Sequence, residues 1–161
     1  MAPFQDDDVE AVHAFASDPL ACRYTTWGPN GLAETRVFLA EATTARTDGY
    51  VLAVNLDGRV VGSAAAWTTS ASDRVGEMGD TLHPHHWGQG YATEVAGLLL
   101  RMGFERLGFE RVAATCDPEN VASARVLEKT GLRFEGRLRG NVVARGRRRD
   151  SLVYGILRCD G

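Results

Sequence analysis

The chain has 161 residues, a formal charge of −3 at pH 7, 44% hydrophobic residues and 24% charged ones. That length suits a single domain over residues 1–161, and the balance is an ordinary globular one, which excludes disorder and a fibrous fold. No apolar run reaches the ~18 residues of a membrane span. The longest, Val95–Leu100, contains Gly97, and Met1–Asp8 lacks the basic segment and apolar core of a secretory signal, so a cytoplasmic location is the default expectation.

Cys22, Cys116 and Cys159 are odd in number and lack metal-ligand spacing, so neither a disulfide framework nor a metal site is expected. Lys129 is the only lysine; the other 17 of the 18 basic side chains are arginines. Residues 133–161 carry eight arginines against three acids, a net of +5, which leaves −8 for residues 1–132. Two readings stay open: a solvated hairpin under an arginine-rich bias, or a basic edge that faces an anion. The charge is too small to imply nucleic acid.

In chain order, Asp6–Ala16 reads as a helix whose acidic first turn suits the positive end of the helix dipole. Asp18-Pro19 ends it, and a second helix follows Gly28-Pro29-Asn30-Gly31, with Leu32, Thr35, Leu39 and Ala42 at helical spacing. The period then changes to two. Tyr50–Leu56 and Arg59–Trp67 flank Asp57-Gly58, the signature of a tight hairpin. After a polar loop at 70–73, Val75–His83 is a third strand and Tyr91–Leu107 the longest helix, with Gly108 as its stop. Arg111–Cys116 is a short strand. Asp117–Asn120 opens a helix to about Thr130, and two last strands, Leu132–Val143 and Arg147–Leu157, surround Arg145-Gly146. The order ααβββαβαββ predicts a mixed α/β domain.

The sharpest motif is His83-Pro-His-His-Trp-Gly-Gln-Gly-Tyr-Ala-Thr-Glu94, which joins a strand to the longest helix. Glycines at such a junction let successive backbone N–H groups converge, and the helix start adds unpaired N–H groups and partial positive charge, so the segment suits a phosphate without any lysine. It is not a P-loop, which needs GxxxxGK[ST]. It is not a dinucleotide fingerprint either, because Gly88-Gln-Gly90-Tyr-Ala-Thr93 lacks the third glycine and arrives mid-chain. A plain strand-to-helix connection is the simpler alternative.

Taken together, Trp27-Gly-Pro-Asn30, GEMGDTLHPHHWGQGYATE at 76–94, DPENVASARVLEKTGLRFEG at 117–136 and Arg149-Asp150 resemble the GNAT superfamily of acetyl-CoA-dependent N-acetyltransferases. Within it they are most similar to the branch that acetylates N-terminal amines of ribosomal proteins, the RimJ/RimL type. The resemblance runs from Asp6 to about Arg158. It implies a mostly antiparallel sheet with splayed central strands and flanking helices, acetyl-CoA as co-substrate, and a primary amine as acceptor, on a peptide N-terminus or a small molecule. A homodimer is compatible with it; a nucleic-acid or membrane partner is not implied.

The resemblance also implies site residues. Trp87, Gly88, Gln89, Gly90, Tyr91, Ala92 and Thr93 form the pyrophosphate loop, with Trp87 where the family usually has Arg or Gln. The splayed strands are Val75–His83 and Arg111–Cys116, and the N–H near Leu82 faces the thioester carbonyl. Asn120 and Ser123 resemble the pair at the pantetheine arm and sulfur, Ser123 doubling as acid or donor to the sulfur, and Lys129 lies further along the cofactor. Read alone, Asn120 is a helix N-cap. Glu77 is the candidate general base, while Trp27 and Asp80 are candidate acceptor contacts. Two departures stand out. Val142 fills the slot of a glutamate carried by some members, and only Met1–Gln5 precede the first helix, so the family's first strand is very short or missing. The missing glutamate keeps a second reading open, a catalytically silent acyl-CoA-binding domain.

Overall fold

The computed structural model describes residues 1–160. A short 3-10 turn at Asp6–Asp8, where the Asp8 carboxylate accepts the Gln5 N–H at 2.8 Å, leads into α1 (Val9–Ala16). Glu34 likewise accepts the Gly31 N–H at 2.7 Å at the start of α2 (Leu32–Thr43). Next come β1 (Gly49–Leu56), β2 (Arg59–Ser70) and β3 (Val75–Leu82). The β1–β2 turn uses Asp57 and Gly58 at φ +49° and +80°, the left-handed pair that a two-residue hairpin requires. Then follow α3 (Tyr91–Glu105), β4 (Arg111–Cys116), α4 (Val121–Lys129), β5 (Arg133–Ala144) and β6 (Arg147–Leu157).

The expected element order therefore holds, with two adjustments. Strand β2 runs on to Ser70, because its pairing with β3 continues across a bulge between Thr68 and Ser70 and shortens the expected polar loop. The family's first strand is reduced to one bridge, Ala2 with Ala53, held by N–H···O bonds of 3.0 and 2.8 Å.

The six strands form one sheet in the order β1-β2-β3-β4-β6-β5. Every pairing is antiparallel except β3 with β4, which is parallel and lasts only from Val75–Arg111 to Glu77–Ala113. Beyond that point the two strands part. One face of the sheet carries α3 and α4 over a core that includes Met78, Leu82, Leu99, Phe109, Val112 and Tyr154. The other carries α1 and α2 over Phe4, Val12, Phe15, Leu39 and Ala53. Truncating a residue such as Leu99, 1% exposed, to alanine costs about 2–5 kcal/mol in a core of this kind. Among the described residues no helix is long and apolar enough to cross a membrane, and all three cysteines are free.

Candidate active site

The parted strands open a cleft of about 1180 Å³ that is lined from both faces of the sheet. Backbone alternation decides which groups face it. His83 donates its N–H to Val61 at 2.8 Å on the β2 side, while the Arg74 carbonyl accepts from Glu110 at 2.8 Å on the β4 side. Alternate residues point alternate ways, so the backbone groups of Asp80 and Leu82 turn toward the gap, where β4 no longer pairs with them. The Leu82 carbonyl is taken by the Trp87 indole N–H at 2.9 Å. Its N–H stays available.

That indole bond fixes the loop to α3. Gly88 and Gly90 sit at φ +73° and +88°, a conformation that a side chain disfavours, and an added Cβ at either would meet nothing within 4 Å. Both glycines face open cleft. Gly90 caps α3, whose first internal bond is Glu94 N–H to Gly90 carbonyl at 3.1 Å, so the N–H groups of Tyr91, Ala92 and Thr93 lack helical partners. Trp87, Gly88, Gly90, Tyr91, Ala92 and Thr93 all line the cleft. Gln89 does not: its side-chain amide turns back to the His85 carbonyl at 3.1 Å, which leaves only its backbone for the loop.

Across the gap, Asn120, Ser123 and Lys129 of α4 line the same cleft, joined by Leu82. Asn120 is an N-cap, its Oδ1 accepting the Ser123 N–H at 3.1 Å, so the structural reading of this residue is realised. The cap uses one acceptor and leaves the Asn120 amide NH₂ and the Ser123 hydroxyl without bonds to described residues.

Trp27 and Asp80 also line the cleft, from opposite faces. Trp27, 38% exposed, belongs to the long α1–α2 loop and stands with Tyr24, Phe15, Phe38 and Trp67 over Ser63, Ala65 and Gly79. Asp80 pairs with Ala64 and therefore shares the α3 face with Met78 and Leu82. Asp80 is exposed to the open cleft, and no described residue bonds its carboxyl. Desolvation by the cleft walls pushes its pKa up to about 6. Glu77 occupies the last paired position at the apex of the gap, half-buried, with Thr115 donating to its Oε1 at 3.4 Å. Burial raises its pKa and the Thr115 bond opposes the rise; its side chain is outside the cleft lining.

Four residues were given no such role from the sequence: Tyr24, which lines the cleft beside Trp27, Arg145 and Arg149 of the C-terminal hairpin, which hold the Trp27 loop, and Asp117, which anchors Arg149 at 2.8 Å. Arg149-Asp150 was visible as part of the family resemblance and Arg145 only as a turn residue; nothing local names their partners.

Residues 1–133 match the family described as the acetyltransferase (GNAT) domain. The N-acetyltransferase YnaD of Bacillus subtilis is 26% identical over 154 residues, covering 96% of this chain and 90% of that protein. Among solved structures, a GNAT-family acetyltransferase from Bacillus anthracis is 30% identical, with a TM-score of 0.86 over 96% of this chain and 92% of the other. A more distant likeness of fold, at 15% identity and a TM-score of 0.82, covers 95% of this chain and 88% of the microcin C7 self-immunity acetyltransferase MccE, solved with acetyl-CoA and AMP. The parted parallel strands, the glycine loop at the start of α3 and a match over most of the chain lead to one conclusion: this chain belongs to the GNAT family of acetyltransferases.

Proposed function

We propose that the chain transfers the acetyl group of acetyl-CoA directly to a primary amine, the α-amine of a protein N-terminus as in the RimJ/RimL-like branch or that of a small molecule. The observation that carries this reading is the meeting, in one cleft, of the unpaired Leu82 N–H and the unpaired N–H groups at the start of α3. The open space above Gly88 and Gly90 fits a pyrophosphate against backbone, and the narrow gap between β3 and β4 fits a pantetheine arm. Bound acetyl-CoA supplies an activated thioester whose thiol leaves readily, an ordinary thiol having a pKa of about 8.5.

The protein supplies position and charge. Backbone N–H groups from Gly88 to Thr93, helped by the Thr93 hydroxyl and Lys129, bind the phosphates. The Leu82 N–H stands where the carbonyl oxygen gathers negative charge, the term that usually contributes most in acyl transfer. The free amide of Asn120 holds the arm, and the Ser123 hydroxyl donates to the departing sulfur. Tyr24 and Trp27 wall the acceptor. An α-amine, with an unperturbed pKa of about 7.7–8.0, needs far less help to lose its proton than a lysine at about 10.4. We give the proton-accepting role to Asp80 in preference to Glu77. A base must come within hydrogen-bond reach of the amine, and Asp80 opens into the cleft while Glu77 turns to Thr115. The three free cysteines support a cytoplasmic setting for the reaction.

The test is release of free thiol from acetyl-CoA across peptides with free N-termini and small primary amines, beside calorimetry of acetyl-CoA binding. Binding with acceptor-dependent release supports the proposal. Binding without release on any amine defeats the catalytic part and leaves a silent acyl-CoA-binding domain; no binding defeats both.

A further inference from the structure

The α1–α2 loop, residues 17–31, carries Tyr24 and Trp27 into the cleft, yet it has no strand partner for its carbonyls. Its own bonds are short-range turns: Cys22 N–H to the Asp18 carbonyl at 3.0 Å, Arg23 N–H to that of Leu20 at 3.2 Å, Thr25 N–H to that of Cys22 at 3.2 Å and the Thr25 hydroxyl to the carbonyls of Cys22 and Trp27. Asn30 N–H closes its base on the Ala16 carbonyl at 2.8 Å. The partner comes from the far end of the chain. Arg145, at the tip of the β5–β6 hairpin, places one Nη against the carbonyls of Gly28 at 2.9 Å and Trp27 at 3.4 Å. Its other Nη meets those of Cys22 at 2.9 Å, Arg23 at 3.0 Å and Thr25 at 3.1 Å. Arg149 adds a bond to the Arg23 carbonyl at 3.2 Å, while its guanidinium pairs with the buried Asp117 carboxylate at 2.8 Å.

A guanidinium is a rigid planar fork of donors with no acceptor, so one side chain can gather several carbonyls that a curled loop turns inward. The hairpin turn aims it: Arg145 itself adopts φ +50° and Gly146 φ +74°, which presents the side chain beyond the last rung of β5 and β6. Arg145 does not line the cleft.

From this geometry we infer that Arg145 is a positioning residue for the acceptor: by gathering the carbonyls of Cys22 to Gly28 it sets the wall that Tyr24 and Trp27 present to the amine, without touching either substrate. The acceptor side of the cleft is thus shaped by the C-terminal hairpin, through the bonds of Arg145 and Arg149 to main-chain oxygens of the loop. Arg149 is the less suitable probe, because its loss strands the Asp117 carboxylate, only 6% exposed. The kinetic part of the inference rests on the acetyltransferase reading; the structural part does not.

The experiment compares wild type with Arg145→Ala and Arg145→Lys. Amide hydrogen exchange over residues 20–30 is measured together with KM for acetyl-CoA and for the best acceptor in the amine panel. Arg145→Ala is expected to speed exchange in that loop and raise the acceptor KM about tenfold, leaving the acetyl-CoA KM and the exchange of α3 unchanged. Arg145→Lys, a point charge without the fork, restores only part of both, and millimolar guanidinium restores Arg145→Ala better than sodium chloride does. Unchanged loop exchange overturns the clamp. Faster exchange with an unchanged acceptor KM, or with both KM values raised alike, overturns the acceptor role. If wild type turns over no amine, the acetyltransferase proposal fails, and the exchange data alone still judge the clamp.

Discussion

The two ends of the cleft are built by opposite means. At the α3 end, the loop from His83 to Gly90 is held by short-range bonds: Trp87 indole to Leu82, Gln89 to His85, and two glycines in the left-handed region. At the Trp27 end, an irregular loop is held by an arginine more than a hundred residues away in the chain. The difference teaches where rigidity comes from. On the proposed assignment, the site for an invariant group such as pyrophosphate is made from backbone and local turns, whereas the proposed acceptor wall depends on tertiary contacts that substitution elsewhere can reshape.

Breaking the local end should have the largest effect. Gly90→Val forces a β-branched residue to φ +88° and pushes it into the open space above the loop, so acetyl-CoA binding should weaken about 100-fold, roughly 3 kcal/mol, by calorimetry. Global stability should fall only by the ~1–2 kcal/mol of the left-handed backbone, since no protein atom lies within 4 Å of the new Cβ to add a clash. A large fall in melting temperature with unchanged binding would falsify the claim that this glycine serves the ligand.

Between the two ends, Ser123→Ala is expected to lower kcat about tenfold at constant acetyl-CoA affinity, because its hydroxyl has no structural bond to lose. An unchanged kcat removes Ser123 from the mechanism. The distant end is broken by Arg145→Ala, with its selective rise in acceptor KM.

Asp80 sharpens the comparison with the smallest expected change in stability. Its folded pKa of about 6 lies above its ordinary 3.8, so the folded protein holds a proton that the unfolded chain releases between those values. Stability from this group is present below about pH 4 and lost as pH rises through 6. Asp80→Asn should therefore stabilise the protein at pH 8 by about 1 kcal/mol, discounted for solvent in the open cleft, and by nothing at pH 4, as read from melting temperatures. The same substitution should remove the rise of kcat/KM near pH 6 in the wild type. If Glu77→Gln abolishes that rise and Asp80→Asn leaves it intact, the proton-accepting role passes to Glu77.

The legibility of the fold follows the range of the forces involved. Helix α3 and the β1–β2 hairpin were readable because period, caps and an Asp-Gly turn are local properties. The extra length of β2 was not, because Thr68–Ser70 pairs only by virtue of β3 lying alongside. Asn120 shows both sides at once: its capping role was plain from position, while its place opposite the glycine loop is a property of the assembled sheet.

The opposition between an acidic body and a basic C-terminal segment was also in the sequence, but its meaning was not. Composition showed +5 over residues 133–161 and left both a solvated hairpin and an anion-facing edge open. In the fold, Arg137 pairs with Asp150, Arg149 with Asp117, Arg148 with the Gly140 carbonyl and Arg145 with the Trp27 loop. The sequence by itself determined the order of the elements, the glycine loop at the start of α3 and the family, since these depend on neighbours within a few residues or on an ordered set of motifs. Tertiary structure alone decided that β3 and β4 part at Glu77, that Asp80 opens into the cleft while Glu77 turns aside, and which carbonyls the hairpin arginines hold. The physical reason is that a charge or a carbonyl finds its partner by distance in space, and sequence separation carries no record of it.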